Sequence, residues 1–113
     1  MQNLAELKCT ACRGDDPQLA DTRIEELLPA IPDWTLKEAE GVKRLERNFR
    51  FKDFQSALDF TNRVGVAAEA EGHHPLLCTT WGRVTVTWWT HKIRGLHQND
   101  FIMAARTDAL YPG

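Results

Sequence analysis

Three of the four histidines fall in two places, His73-His74 and His91. An imidazole titrates near neutral pH, so it can give or take a proton under working conditions, and it is also a common metal ligand. His73 and His74 follow what reads as a helix C-terminus, between Gly72 and Pro75. The negative end of a helix dipole favours an imidazolium there. His91 closes what reads as a strand. If the two strands flanking Trp81-Gly82 form a hairpin, their far ends meet, and those ends carry His74-Pro75 and Thr90-His91. Connectivity alone therefore predicts that the three imidazoles converge at one edge of a sheet, beside the end of a long helix. Zinc is the rival chemistry. Adjacent residues in extended chain point to opposite sides, so His73 and His74 do not readily share one metal.

Other groups belong to the same inventory. Glu69 stands four residues before His73, one turn away if the helix persists, where it would orient or charge that imidazole. Glu71 reads as solvent-facing. Asp100, at the start of the last helix, has a structural role open to it, complementing the dipole. Cys9-x-x-Cys12 is a single pair with no second pair and no nearby histidine, so it reads as incidental on an arm before it reads as zinc or redox chemistry. Cys78 alternates within a strand and is expected to be a small buried hydrophobe. Of Trp34, Trp81, Trp88 and Trp89, most should be core. Trp89 falls opposite Val86 and is available to cover a ligand or a partner chain.

The elements that must position these groups are legible by period. Residues 1–20 have no clean period and contain turn chemistry at Gly14-Asp15-Asp16-Pro17, so they read as an arm, with residues 21–113 as the domain. Because the arm carries none of the histidines, it is expected to be dispensable for catalysis. Thr22-Arg23-Ile24-Glu25 has the form of a capping box, and Ile24, Leu27 and Leu28 make one apolar face before Pro29 and Pro32 stop the helix. Residues 34–40 and 42–51 make a hairpin around Glu40-Gly41. Leu45, Phe49 and Phe51 share a face, and Arg47 falls on it as an exception. Asp53 caps a long helix to about Glu71, with Phe54, Ala57, Leu58, Val64 and Ala68 at helical spacing. Gly65 inside it suggests a close packing contact. Strands at 76–80 and 83–90 follow, then a helix marked by Phe101, Ile102, Ala105 and Ala109. The order α-β-β-α-β-β-α predicts an α+β domain: a four-stranded antiparallel sheet with three helices packed on one face.

Composition sets outer limits. The chain has 113 residues, 42% hydrophobic and 27% charged, which suits one globular domain and excludes a disordered one. Sixteen acids against fourteen bases give a net charge of −2, so there is no basic footprint for direct nucleic-acid binding. No apolar run approaches the roughly 18–20 residues that span a bilayer, and Met1 to Lys8 do not read as a signal peptide. Three cysteines fit a reducing compartment, so a cytoplasmic protein without membrane attachment is expected.

Glu69-x-x-x-His73-His74-Pro75, then Trp81, His91 and Asp100, resembles the signature of the pterin-4a-carbinolamine dehydratases. Leu45-x-Arg47-x-Phe49-x-Phe51-x-x-Phe54 upstream and Gly95-Leu96 downstream fit as well, so the resemblance runs from about Thr22 to Leu110. It departs at Leu77, where many members carry an aromatic, at Gly72, and at His97, where Thr is commoner. The resemblance implies an α+β domain, a homodimer or homotetramer, and dehydration of 4a-hydroxytetrahydropterin to the quinonoid dihydropterin in tetrahydropterin recycling, with no metal or organic cofactor. It maps His73, His74 and His91 onto catalytic histidines, and Glu69, Pro75, Trp81 and Asp100 onto substrate-binding positions. Within it, His73 and His91 are expected to be the acid–base pair and His74 to position the small-molecule pterin. Two other classes remain open. One is a non-catalytic relative that binds a partner protein, as a transcription co-regulator or an assembly factor. The other is a small metal-binding protein using Cys9, Cys12 and the histidines.

Overall fold

The structure, a computed structural model, describes residues 4–7, 9 and 16–113. Its elements are α1 (Asp21–Leu27), β1 (Thr35–Ala39), β2 (Val42–Arg50), α2 (Phe54–Glu71), β3 (Leu76–Thr80), β4 (Arg83–Trp88) and α3 (Gln98–Leu110). Cys12 and the start of the Gly14-Asp15 turn lie outside the described residues. Leu4 is buried against the domain, so the arm contributes a side chain to the core.

The four strands form one antiparallel sheet in the order β1-β2-β4-β3. Glu40 and Gly41 both have positive φ, 54° and 75°, the mirror-image turn whose twist suits a two-residue hairpin. Register then puts Leu45 opposite Trp88 and Phe49 opposite Val84. These side chains, with Val86, meet Ile24 and Leu27 of α1, Ala57, Phe60, Val64 and Ala68 of α2, and Phe101, Ile102, Met103 and Ala104 of α3 in one buried cluster. The helices therefore cover one face, as expected of an α+β fold. Removing a ring such as Phe49 from it would cost about 3–5 kcal/mol.

Arg47, the polar exception on the inner face of β2, is accounted for. Its guanidinium lies 4.4 Å from the centroid of the Phe49 ring. It also pairs with Asp108 at 2.6 Å and Asp33 at 3.6 Å. The aliphatic stem and flat head fill the rim of the core while the charge is met by two carboxylates.

Several local expectations are corrected. α1 begins at Asp21 with Ala20 as its N-cap and no side-chain capping bond, so Thr22 lies inside the first turn and the capping box does not form. Gly65 makes no close contact: a Cβ there would meet nothing within 4 Å among the described residues. Cys78 is exposed, because its register partner Thr85 belongs to the sheet face that the helices leave open. Phe54 is exposed as well. β4 ends at Trp88, and Thr90 instead bridges to Gly95 across a short loop. Asp53 does cap α2, accepting from the Ser56 amide at 2.8 Å, and that bond holds its carboxyl below the usual range. Among the described residues no helix is long and apolar enough to cross a membrane.

Candidate active site

α2 ends where Gly72 turns left-handed, with φ of 62°. The amide of His73 then donates back to Ala68 O at 3.1 Å, so the chain reverses over the last helical turn. This reversal sends His73 inward and leaves His74 outside, since successive extended residues face opposite ways.

His73 is buried, and its ring lies parallel to the Trp88 indole, 5.6 Å between centroids and 3° between planes. His73 Nε2 is 2.6 Å from Asp100 Oδ1. Asp100 is fully buried. Its other oxygen accepts from Thr90 Oγ1 at 2.8 Å and from the His97 amide at 2.9 Å. A carboxylate removed from water needs such donors, and here three converge on two oxygens. The imidazole is thereby fixed in position through Nε2, which leaves Nδ1 as the nitrogen that Asp100 does not use.

His74 is exposed and its Nε2 lies 2.8 Å from Glu69 Oε1. Glu69 therefore partners His74, not His73. The helix does not persist to residue 73, so the one-turn spacing that assigned Glu69 to His73 does not apply. His91 is exposed at the start of a single 3-10 turn, and its ring packs on Trp89 at 4.4 Å. Trp89 also carries the Arg44 guanidinium at 4.1 Å.

The β3–β4 register, with Leu76 opposite Thr87, brings the chain ahead of β3 and the chain after β4 to the same end of the hairpin. His73, His74, Pro75, His91 and, through its bond to His73, Asp100 belong to that end. Trp81 does not: it sits at the β3–β4 turn, at the opposite end, and is 74% exposed. The described residues contain no group of three or more side chains suited to a metal. Thr90 and Trp88 were not singled out by sequence as site residues, although Thr90 adjoins His91 and its hydroxyl was a visible polar group. His97 Nδ1 accepts from the Asn99 amide at 3.1 Å, which makes it the N-cap of α3.

A buried imidazole tied to a buried carboxylate, with two open imidazoles at the same hairpin end, is equipped for proton transfer. The model of the family described as pterin 4 alpha carbinolamine dehydratase matches residues 17–110. The chain belongs to the pterin-4-alpha-carbinolamine dehydratase family. Two relatives of the same dehydratase name agree. One, from Gloeobacter violaceus, is named "Putative pterin-4-alpha-carbinolamine dehydratase 1" and is 60% identical over 108 residues, covering 96% of this chain and 93% of that one. Another, "Putative pterin-4-alpha-carbinolamine dehydratase" from Nitrosococcus oceani, is 54% identical over 110 residues and 97% of each chain. A solved transcriptional coactivator/pterin dehydratase from Brucella melitensis superposes with a TM-score of 0.74 at 32% identity, over 83% of this chain and 98% of that one. A pterin dehydratase-like protein described as a RuBisCO assembly factor in the alpha-carboxysome shares the fold, with a TM-score of 0.60 at 21% identity over 72% and 92%.

Proposed function

We propose that the protein dehydrates 4a-hydroxytetrahydropterin to the quinonoid dihydropterin, with His73 and His91 as the acid–base pair. The carbon–oxygen bond at C4a breaks, the hydroxyl leaves as water after taking a proton, and N5 gives up its proton as the C4a–N5 double bond forms. Only protons move and no electrons are exchanged with another molecule, so one protonated and one neutral imidazole suffice. The observation that carries the reading is the His73–Asp100 hydrogen bond, which immobilises a buried imidazole at the hairpin end that also bears His91. His74, backed by Glu69, is assigned to the pterin's polar edge, with Pro75 beside it. Trp81 is left without a role in this reading.

The test is turnover of chemically generated 4a-hydroxytetrahydropterin, corrected for the uncatalysed reaction, by chelator-treated protein. His73→Ala and His91→Ala are each expected to slow it by about 10²–10⁴. His97→Ala, with folding matched by circular dichroism, is expected to change it little. Equal, small effects at His91 and His97 would overturn the assignment and favour a partner-binding protein.

A further inference from the structure

Residues 16–19 run alongside the loop that begins at His91, and they are bonded to it at several points. The Leu19 amide donates to Leu96 O at 2.9 Å. The Gln18 carboxamide donates to two successive carbonyls, Ile93 O at 3.0 Å and Arg94 O at 3.2 Å. Asp16 Oδ2 stands 3.6 Å from His97 Nε2. The fit is close. A Cβ on Gly95 would lie 2.6 Å from Gln18 Cδ, so the loop has room for this side chain only because residue 95 is glycine.

The loop needs an outside partner. It is one 3-10 turn, His91–Ile93, followed by Arg94 at φ 52°, a left-handed conformation that non-glycine residues avoid. Such a conformation persists where surrounding contacts over-determine it. Two contacts do so here: the Thr90–Gly95 bridge closes the loop at its base, and Gln18 holds the carbonyls on either side of the left-handed step. Among the described residues the exposed His91 ring packs on Trp89 and no carboxylate clamps it as Asp100 clamps His73, so its placement depends on the backbone it stands on.

We propose that Gln18 is a positioning residue for His91, clasping the 91–97 loop so that the imidazole meets the pterin. This rests on the acid–base reading above and reverses the expectation that residues 1–20 are dispensable for catalysis. A misplacement of about 1 Å is enough to lower turnover by roughly 10²-fold.

The experiment compares Gln18→Met, which keeps the length and removes both donors, in the wild-type and His91→Ala backgrounds, reading turnover together with amide hydrogen exchange by NMR. Gln18→Met is expected to lower kcat by roughly 10–100-fold in the first background and to add nothing in the second. Exchange at the Thr90 and Arg94 amides is expected to quicken while that of α2 stays unchanged. Gly95→Ala, whose Cβ would displace the Gln18 side chain, is expected to lower turnover as Gln18→Met does and to add little when combined with it. Wild-type turnover in Gln18→Met, or an undiminished loss when His91 is already Ala, overturns the proposal while leaving the acid–base reading intact. A wild-type protein without dehydratase activity overturns that reading instead. Unchanged exchange at Thr90 and Arg94 overturns the clasp in either case.

Discussion

Asp100 and His73 are joined by a 2.6 Å hydrogen bond across 27 residues of sequence, and the same carboxylate caps the helix on which it stands. One oxygen serves the imidazole and the other serves Thr90 and the His97 amide. The dipole role and the site role are therefore one arrangement: α3 cannot shift along its axis without moving the partner of His73.

Asp100→Asn tests this. An amide group must present its NH2 either to His73 Nε2 or to the His97 N–H, and the latter cannot turn away. The NH2 therefore faces His73 Nε2, which can accept from it only with its own proton moved to Nδ1, and the hydrogen bond to a charged carboxylate is lost. We expect about 1–3 kcal/mol less stability in urea unfolding, the usual range for a hydrogen bond to a charged group. Turnover should fall toward that of His73→Ala, and the double variant should be no slower than the worse single one. Unchanged stability with unchanged turnover would show that neither oxygen matters.

Arg47 gives a prediction about the fold alone. Arg47→Met keeps the stem and removes the charge facing Asp108 and Asp33, so about 1–3 kcal/mol should be lost in chemical denaturation. Arg47→Lys should restore only part of it, since an ammonium does not stack flat on Phe49. Full restoration by Lys would mean that charge, not shape, holds the residue.

Thiol chemistry should separate Cys9 from Cys78. Burial, and then the nearby Glu71 charge, push the Cys9 thiol from 9.0 up to about 11. At pH 8 its thiolate fraction is then about 100-fold below that of an ordinary thiol, and alkylation read by peptide mass mapping should mark the exposed Cys78 first. The sign for stability follows from the same shift. The neutral thiol is favoured in the fold, so its contribution is complete below the ordinary value and is lost as pH rises through the folded one. Stability should fall between about pH 9 and 11, and less so in Cys9→Ser. Faster labelling of Cys9 than of Cys78 would contradict this.

Self-association is the fourth expectation. β1 and β3 are both open edges of the sheet. Open edges invite pairing with another chain. Light scattering at micromolar concentration should give two or four times 12.9 kDa, and the mass of a single chain would remove the claim.

The hairpins, the long helix and its Asp53 cap were readable because each rests on neighbours within a few residues. The features that were not readable depend on distant ones. Arg47 looked misplaced on an apolar face because its acceptor, Asp108, is 61 residues away. Glu69 was matched to His73 by counting along a helix, and Gly72 ends that helix one residue too soon. Gly65 was expected to mark a tight contact, yet a small residue by itself does not say what faces it. Gathering the histidine-bearing chain at one hairpin end followed from pairing rules. Which imidazole would be buried did not, since that depends on how the chain reverses at Gly72 and on Trp88 lying flat against the ring.

The Asp108 contacts bear on how the protein is made. Asp108 accepts from Trp34 Nε1 at 2.8 Å as well as from Arg47, and Tyr111 packs its ring on Phe49, Phe51 and Phe60 while its hydroxyl donates to Arg50 O. The first hairpin therefore lacks its partners until residues 108–111 have been synthesised. Until then Arg47 has only the more distant Asp33 carboxylate beside it, at 3.6 Å, and the aromatic cluster lacks the Tyr111 ring. The order of synthesis thus makes the first hairpin wait on residues 108–111, and a chain cut before Asp108 would leave a sheet without these closing contacts.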